Sequence, residues 1–411
     1  MKAIVIGGGA SGMFCAGLLG QKGVECVLLE KNDKLGKKLF ITGKGRCNLT
    51  NNADRQTLLD NVVTNSKFLI AALSKFTPSD LMSFVEGRNL PLKVERGDRV
   101  FPLSDKSSDV IRCFSDFLDE NNVKVLLETK VEKIIAKDNK ICGVQLENGT
   151  QLFADIVVVA TGGKSYSSTG SDGDGYKFAL SVGHTVQELR PALVPFILAE
   201  QRDLAGLSLK NVGVSAQDIN KKTLCDDFGE MLFTHNGVSG PTVLSMSSKI
   251  NKYCHNGKFD RRLFFVIDLK PALSESVLDA RLQREFGANL NCEVKNIMPS
   301  LLPKSLIPYI LDQAKVSPEK KCNVVTKEER LRLVQTLKNF SSEIARLDKL
   351  EFGIVTNGGV TVKEINPADM QSKIISGLYF VGETLDVDAL TGGFNLQIAF
   401  STAFSMANSI K

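Results

Sequence analysis

At 411 residues the chain is long enough for two or three domains and for the burial of a large cofactor. A hydrophobic fraction of 43%, a charged fraction of 24% and a net charge of +5 fit a soluble globular protein, and so modest a basic excess, with no lysine- and arginine-rich cluster, speaks against nucleic acid as a partner. Nine cysteines with no CxxC spacing, and three isolated histidines (His184, His235 and His255), predict a reduced cytoplasmic protein that holds no metal.

The chain enters a strand at Ala3 with no long apolar leader, and no apolar run approaches the roughly 20 residues that span a bilayer. Neither a secretory signal nor a membrane segment is expected. The first strand, Ala3-Ile4-Val5-Ile6, runs into Gly7-Gly8-Gly9-Ala10-Ser11-Gly12, and a second apolar strand ends at Glu30-Lys31. This is a dinucleotide fingerprint: a tight turn at Gly7, close approach of backbone to a pyrophosphate at Gly9, and close helix–strand packing at Gly12. Glu30 stands where a carboxylate accepts hydrogen bonds from an adenosine ribose with free hydroxyls, which favours FAD or NAD over NADP. Gly7, Gly9, Ala10, Ser11, Gly12, Glu30 and Lys31 are the candidates for the nucleotide end.

A polar loop rich in glycine and lysine follows from Asn32 to Asn52, too long to be a simple connection. Helices are expected around 65–87 and 107–121, and strands at Val123–Leu127 and Val131–Ile135. Asn148-Gly149 signals a hairpin between Ile141–Leu146 and Gln151–Phe153. The apolar run 155–160 then ends in Thr161-Gly162-Gly163, as a buried parallel strand reaching a cofactor would. A meander that returns to a parallel sheet after the first βαβ unit shifts the reading from NAD to FAD.

From Pro191 to about Leu269, short alternating segments suggest a small antiparallel barrel. Ser274 caps an expected helix to Phe286 that stops at Gly287. Thr326 and Glu329 form a capping box before Leu333, Leu337 and Phe340, which share one helical face. Strand character resumes at 352–356 and at 377–383. A terminal helix starts near Gly392-Gly393-Phe394-Asn395. The expected layout is a first FAD-binding part at 1–190, an inserted β-barrel at 191–270, an inserted helical subdomain at 271–351 and a second FAD-binding part at 352–411.

Leu35 to Asn51, with Gly45-Arg46-Cys47-Asn48-Leu49-Thr50-Asn51 at its end, resembles a signature of the YhiN/BaiN-like FAD-dependent oxidoreductases, also called aminoacetone-oxidase-family FAD-binding proteins. Arg99-Val100-Phe101-Pro102, Ala160 to Gly163, Phe233 to Pro241, and Gly382-Glu383 leading to Thr391 to Gln397 are similar to further family motifs. Asp98 and Ala389 stand where glycine often occurs. The resemblance implies an α/β fold with a Rossmann-type FAD-binding domain of the glutathione-reductase kind, interrupted by a β-barrel plus helices.

It also implies that main-chain groups of Val131 meet the adenine. Lys38, Thr42, Gly43, Gly45, Arg46, Cys47 and Asn48 would line the stretch from pyrophosphate to flavin, where exposed amides and cations suit phosphate. Thr161, Gly162, Gly163 and Asp174 would complete the nucleotide side, and Gly382 with Glu383 a ribityl or ribose corner. Gly393, Phe394, Asn395 and Leu396 would aim a helix N-terminus at the pyrimidine edge of the flavin. Arg46 and Arg99 could clamp an acidic substrate or hold FAD or a loop.

With one cysteine in the loop after the second strand, a dithiol relay is excluded there, and Cys47 reads as a packing residue. His235 is the candidate general acid or base. No second G-x-G-x-x-G follows a strand, so NADH or NADPH, if it is the transient donor, docks directly over the flavin. The leading expectation is hydride transfer between FAD and a small organic substrate, including NAD(P)H-dependent reduction of an activated C=C bond. Two others stay open, a flavin-dependent tRNA-modifying enzyme and a non-catalytic flavin redox sensor. The sequence sets no oligomeric state.

Overall fold

Four consecutive apolar residues, Ala3 to Ile6, form the middle of a parallel sheet, because only a strand covered on both faces can bury such a run. In the computed structural model, which describes residues 1–255 and 257–411, β1 (Lys2–Ile6) is followed by α1 (Ala10–Gln21), β2 (Glu25–Leu29), β3 (Lys124–Leu126), β4 (Ile156–Val159), β5 (Leu378–Phe380) and α2 (Phe394–Ser409). The sheet order is β5-β4-β1-β2-β3, all parallel. A separate antiparallel meander, 131–153, turns at Asn148-Gly149 and leads into β4.

The chain divides into two units, Met1–Ala192 with Lys349–Lys411, and Leu193–Asp348. The first holds the parallel sheet. Its two chain segments are tied by α1 against α2, where Cys15 Sγ lies 3.4 Å from Met406 Sδ. Phe14 on α1 is the hub: its ring centroid is 5.1 Å from those of Phe76 and Phe84, 5.6 Å from Phe400 and 5.9 Å from Phe114.

The apolar stretch expected as one helix over 65–87 is broken. A helix at Ile70–Lys75 ends, and a new one at Pro78–Glu86 starts behind a Thr77/Asp80 capping box. Pro78 has no amide to offer the preceding turn, so it opens a helix instead of continuing one.

The second unit is a closed six-stranded barrel with strand order 196–198, 237–239, 223–234, 208–218, 263–268, 340–347. The last strand, Phe340–Leu347, pairs with both 263–268 and 196–198 and closes the barrel. This corrects two expectations. Phe340 is not on the 327–338 helix but opens the closing strand, buried in one core with Phe196, Phe265, Leu278, Leu282, Leu333 and Leu337. The helices of 275–338 are therefore an excursion between two barrel strands that share the barrel's core, and 191–270 and 271–351 do not separate. The Ser274-capped helix also runs on through Gly287 to Ala288.

No single helix among the described residues is long and apolar enough to cross a membrane. Replacing Phe14 by alanine should cost roughly 3–5 kcal/mol, the range for emptying a buried aromatic site. Urea unfolding of the variant would show it as a lower midpoint with the slope unchanged; a midpoint equal to that of the parent would mean that the aromatic hub does not hold α1 to α2.

Candidate functional site

At the C-terminal edge of the parallel sheet, β1 gives way to Gly7-Gly8-Gly9, and α1 begins with no side-chain cap on its first amides. A Cβ at Gly12 would lie 1.8 Å from the Gly7 carbonyl oxygen, so strand and helix approach as only glycine allows. A Cβ at Gly9, by contrast, would meet nothing within 4 Å. Open space thus stands before an uncapped helix N-terminus, the arrangement that receives phosphate.

Glu30, buried at the end of β2, accepts from Gly8 N–H at 2.7 Å through Oε2, and from Asn32 N–H and Nδ2 at 2.8 and 2.6 Å through Oε1. It holds the glycine turn and still has lone-pair capacity for a ribose hydroxyl. Lys31 is paired with Asp172 at 2.6 Å and Asp174 at 2.9 Å. Burial pushes the Asp174 carboxyl up, but bonds from Lys177 and Lys31 outweigh it and hold the group down at about 2. Val131 is buried at the start of the meander, and the neighbouring Lys130 is ion-paired with Glu147 at 2.7 Å.

The far segment of the chain returns to this edge. The Ser11 hydroxyl faces Gly382, where a Cβ would come within 2.8 Å of it, and Gly382 N–H donates to Thr402 Oγ1 at 3.0 Å. Glu383 is a junction: Oε2 accepts from Lys38 Nζ at 2.7 Å and Oε1 from Thr356 N–H at 2.8 Å, while Ser165 Oγ bonds both Lys38 and Glu383. Thr384 Oγ1 donates to the Gly162 carbonyl at 3.4 Å, and Gly163 packs against Thr356 and Glu383. Two chain segments some 340 residues apart thus make one site.

The loop after β2 forms a short helix, Lys37–Ile41, then a turn through Gly43, Gly45 and Cys47, all at positive φ. Thr42 Oγ1 donates to the Lys38 carbonyl, and the Thr42 carbonyl accepts from Cys47 N–H. Arg46 is committed elsewhere: it is ion-paired with Glu95 and Asp105 and lies 4.2 Å from the centre of the Phe101 ring. Arg99 donates to the Arg96 carbonyl at 3.0 Å. Burial pushes the Cys47 thiol up to about 12.

α2 begins at an uncapped N-terminus, with Gly393 at φ +100° and the space of its missing Cβ taken by the Thr50 carbonyl. The Asn395 side chain points backward, accepting from Ala389 N–H at 2.9 Å and donating to the Ala389 carbonyl at 2.8 Å. Its contribution is to fix the turn before α2, while the backbone of Gly393 to Leu396 supplies the amides at the helix mouth. Phe394 is buried beneath them. His235 lies exposed on the turn between strands 223–234 and 237–239 of the other unit.

The structure adds residues that the sequence motifs passed over. Asp388, fully buried, accepts from Asn357 Nδ2 at 2.9 Å, and the same amide donates to Thr64 Oγ1 at 2.9 Å. Asp388 Oδ2 is buried without a hydrogen-bond partner. Thr50 donates to Gln397 at 2.6 Å, and Asn51 to the Gly392 carbonyl at 3.0 Å, tying the GRCN-x-TN segment to the start of α2. Of these, only Thr50 and Asn51 stood within a motif.

The residues present fit FAD. In the loop after β2, Asn48 Oδ1 is buried with no hydrogen-bond partner, an acceptor that a donor of the bound group would satisfy. A parallel sheet, an uncapped glycine-turn helix, a buried acid after β2 and a returning C-terminal segment together define an FAD-dependent oxidoreductase with a Rossmann-type nucleotide fold. The chain belongs to the HI0933-like family, whose model, described as HI0933-like protein Rossmann domain, matches residues 1–409. It is 31% identical to the ribosomal RNA dihydrouridine synthase of Escherichia coli (strain K12), over 99% of this chain and 97% of that protein. It is 29% identical to the 3-dehydro-bile acid delta(4,6)-reductase of Clostridium scindens, over 97% of this chain and 96% of that one. The solved 3-ketosteroid delta1-dehydrogenase from Sterolibacterium denitrificans shares the fold with a TM-score of 0.53 at 14% identity, covering 99% of this chain and 98% of that one.

In the folded protein near neutral pH, a thiol reagent should label exposed Cys292 quickly and leave Cys47 intact, as read by peptide mass spectrometry; early modification of Cys47 would contradict its inert role. Burial raises the Asp388 carboxyl from 3.8 to about 6. Its stabilising contribution is therefore full below 3.8 and lost as pH rises through about 6, on the order of 3 kcal/mol in all. Asp388→Asn should flatten that stretch of a stability–pH profile of the FAD-free protein, and an unchanged slope would refute the assignment.

Proposed function

We propose that this flavoprotein saturates a carbon–carbon double bond conjugated to a carbonyl, with NADH or NADPH as donor. Support comes from the pairing of two named activities in full-length relatives: making a dihydrouridine and acting as a delta(4,6)-reductase are both reductions of ring double bonds. The balance is one NAD(P)H and one proton consumed, and one NAD(P)+ and one saturated bond formed. FAD supplies the hydride relay when bound.

This chain's residues supply the rest. Uncapped amides at the start of α2 would favour negative charge on a flavin bound there. The Lys38–Glu383–Thr356 junction fixes the returning segment, and Glu30 fixes the glycine turn. No further strand is followed by a G-x-G-x-x-G, so the nicotinamide donor docks transiently.

For the substrate we favour a uracil ring in RNA. The modest charge of the whole chain is unevenly held, since 193–348 carries 22 lysines and arginines against 18 acids and so accounts for most of the excess. A conjugated steroid ketone is the second reading, on the strength of the bile-acid reductase relative.

Anaerobic addition of NADPH, then NADH, should bleach the flavin absorbance, and uridine-containing RNA or a conjugated ketone should restore it. A flavin that stays oxidised with both donors would sink the NAD(P)H reading. Reoxidation by neither acceptor would sink the double-bond reading.

A further inference from the structure

Two short hairpins of the Leu193–Asp348 unit come together at one end of its barrel. The turn joining strands 208–218 and 223–234 carries Lys221 and Lys222, both exposed, beside exposed Ile219. Strand pairing sets Asp218 opposite Leu263, which brings that turn next to Arg261 and Arg262 at the start of strand 263–268. Just upstream, His255 pairs across a small hairpin with Lys258, and Asp260 N–H donates to the Tyr253 carbonyl at 2.9 Å. Lys252 thus joins the same end.

The acids here do not cancel the charge. Asp218 spends Oδ1 on the amides of Asn220 and Lys222, at 2.9 and 3.0 Å, and so shapes the lysine turn. Asp260 binds Arg261, and Glu343 binds Arg262, which leaves the lysines in excess. Tyr253 orders two cations without neutralising either: the Arg261 guanidinium lies 4.6 Å from its ring centre and Lys252 Nζ 5.2 Å. Two ion-paired arginines and three lysines in excess of them, spread over two turns, meet a chain of phosphates better than they meet a single anion.

We propose that this end of the barrel, with Lys221, Lys222, Lys252, Tyr253, Arg261 and Arg262, is a docking surface for the sugar–phosphate backbone of RNA. The inference rests on the RNA reading of the substrate given above, and it places the holding of that RNA on the inserted unit. No lysine- or arginine-rich run announces it, because the cations come from segments about 30 residues apart that only strand pairing unites.

Phosphate contacts are independent of sequence, so a fluorescein-labelled, uridine-containing RNA stem-loop is a sufficient probe for the FAD-loaded full-length chain. Fluorescence anisotropy should show binding that weakens with salt. Lys221→Ala/Lys222→Ala and Arg261→Ala/Arg262→Ala should each weaken it about tenfold at low salt and lower the log–log salt slope by about one to two. Lys304→Ala, on the helical excursion, should not.

Flavin content and bleaching by NAD(P)H should be unchanged in all variants, which separates loss of docking from loss of fold. Parent-like affinity and salt slope in both double variants would overturn the proposal, as would anionic phosphatidylglycerol vesicles binding where RNA does not. RNA binding without flavin reduction would leave this surface standing and remove the reductase reading. Flavin reduction without RNA binding would do the reverse.

Discussion

The closest constraint in the molecule is the approach of α1 to β1 at Gly12. With the Gly7 carbonyl oxygen 1.8 Å from where a Cβ would stand, any side chain at position 12 would push the helix off the strand. That contact sets the mouth of α1 at the sheet edge, and the rest of the site is arranged around the mouth. Glu30 reaches Gly8 because β2 ends beside the turn, and Ser11 reaches Gly382 because α1 is held low enough to meet the returning segment. The same seating brings Phe14 into the aromatic hub with Phe400 of α2. Nucleotide recognition and the packing of the chain's two ends thus depend on one missing methyl group.

Much of this was legible because local rules and the global fold agree. Alternation, glycine spacing and capping boxes marked β1, the fingerprint, the meander and the helix behind Thr326 within a residue or two of where they lie. What failed was continuity across a helix end. Phe340 keeps the i, i+7 spacing from Leu333, yet the helix stops at Lys338 and Phe340 serves the barrel instead. Periodicity reports which face is apolar and is silent on whether the helix has already ended.

The site was less legible than the fold, for a related reason. A motif names residues that stand together in sequence, but hydrogen-bond partners are chosen in space. Arg46 sits inside the most specific motif of the chain and is taken up by Glu95 and Asp105. Asn395 turns its amide back to Ala389. Asp388, Asn357 and Thr64 converge from three segments, and nothing in any one of them signals a buried carboxylate. The basic end of the barrel is invisible to a search for charge runs on the same grounds.

These pairings bear on how a doubly charged pyrophosphate would be met. Lys31 is matched by Asp172 and Asp174, Lys38 by Glu383, and Arg46 by its two acids. The cations nearest the nucleotide end are thus already offset by carboxylates, and diverting one to phosphate would strand its partner in a partly buried place, a costly exchange. Backbone amides have no such prior claim on them. The free N–H groups at the start of α1, in front of open space at Gly9, are the donors that a pyrophosphate can take without breaking an existing pair. In this chain the lysines and acids hold the segments in place, and the uncapped helix ends are left to meet the negative charge.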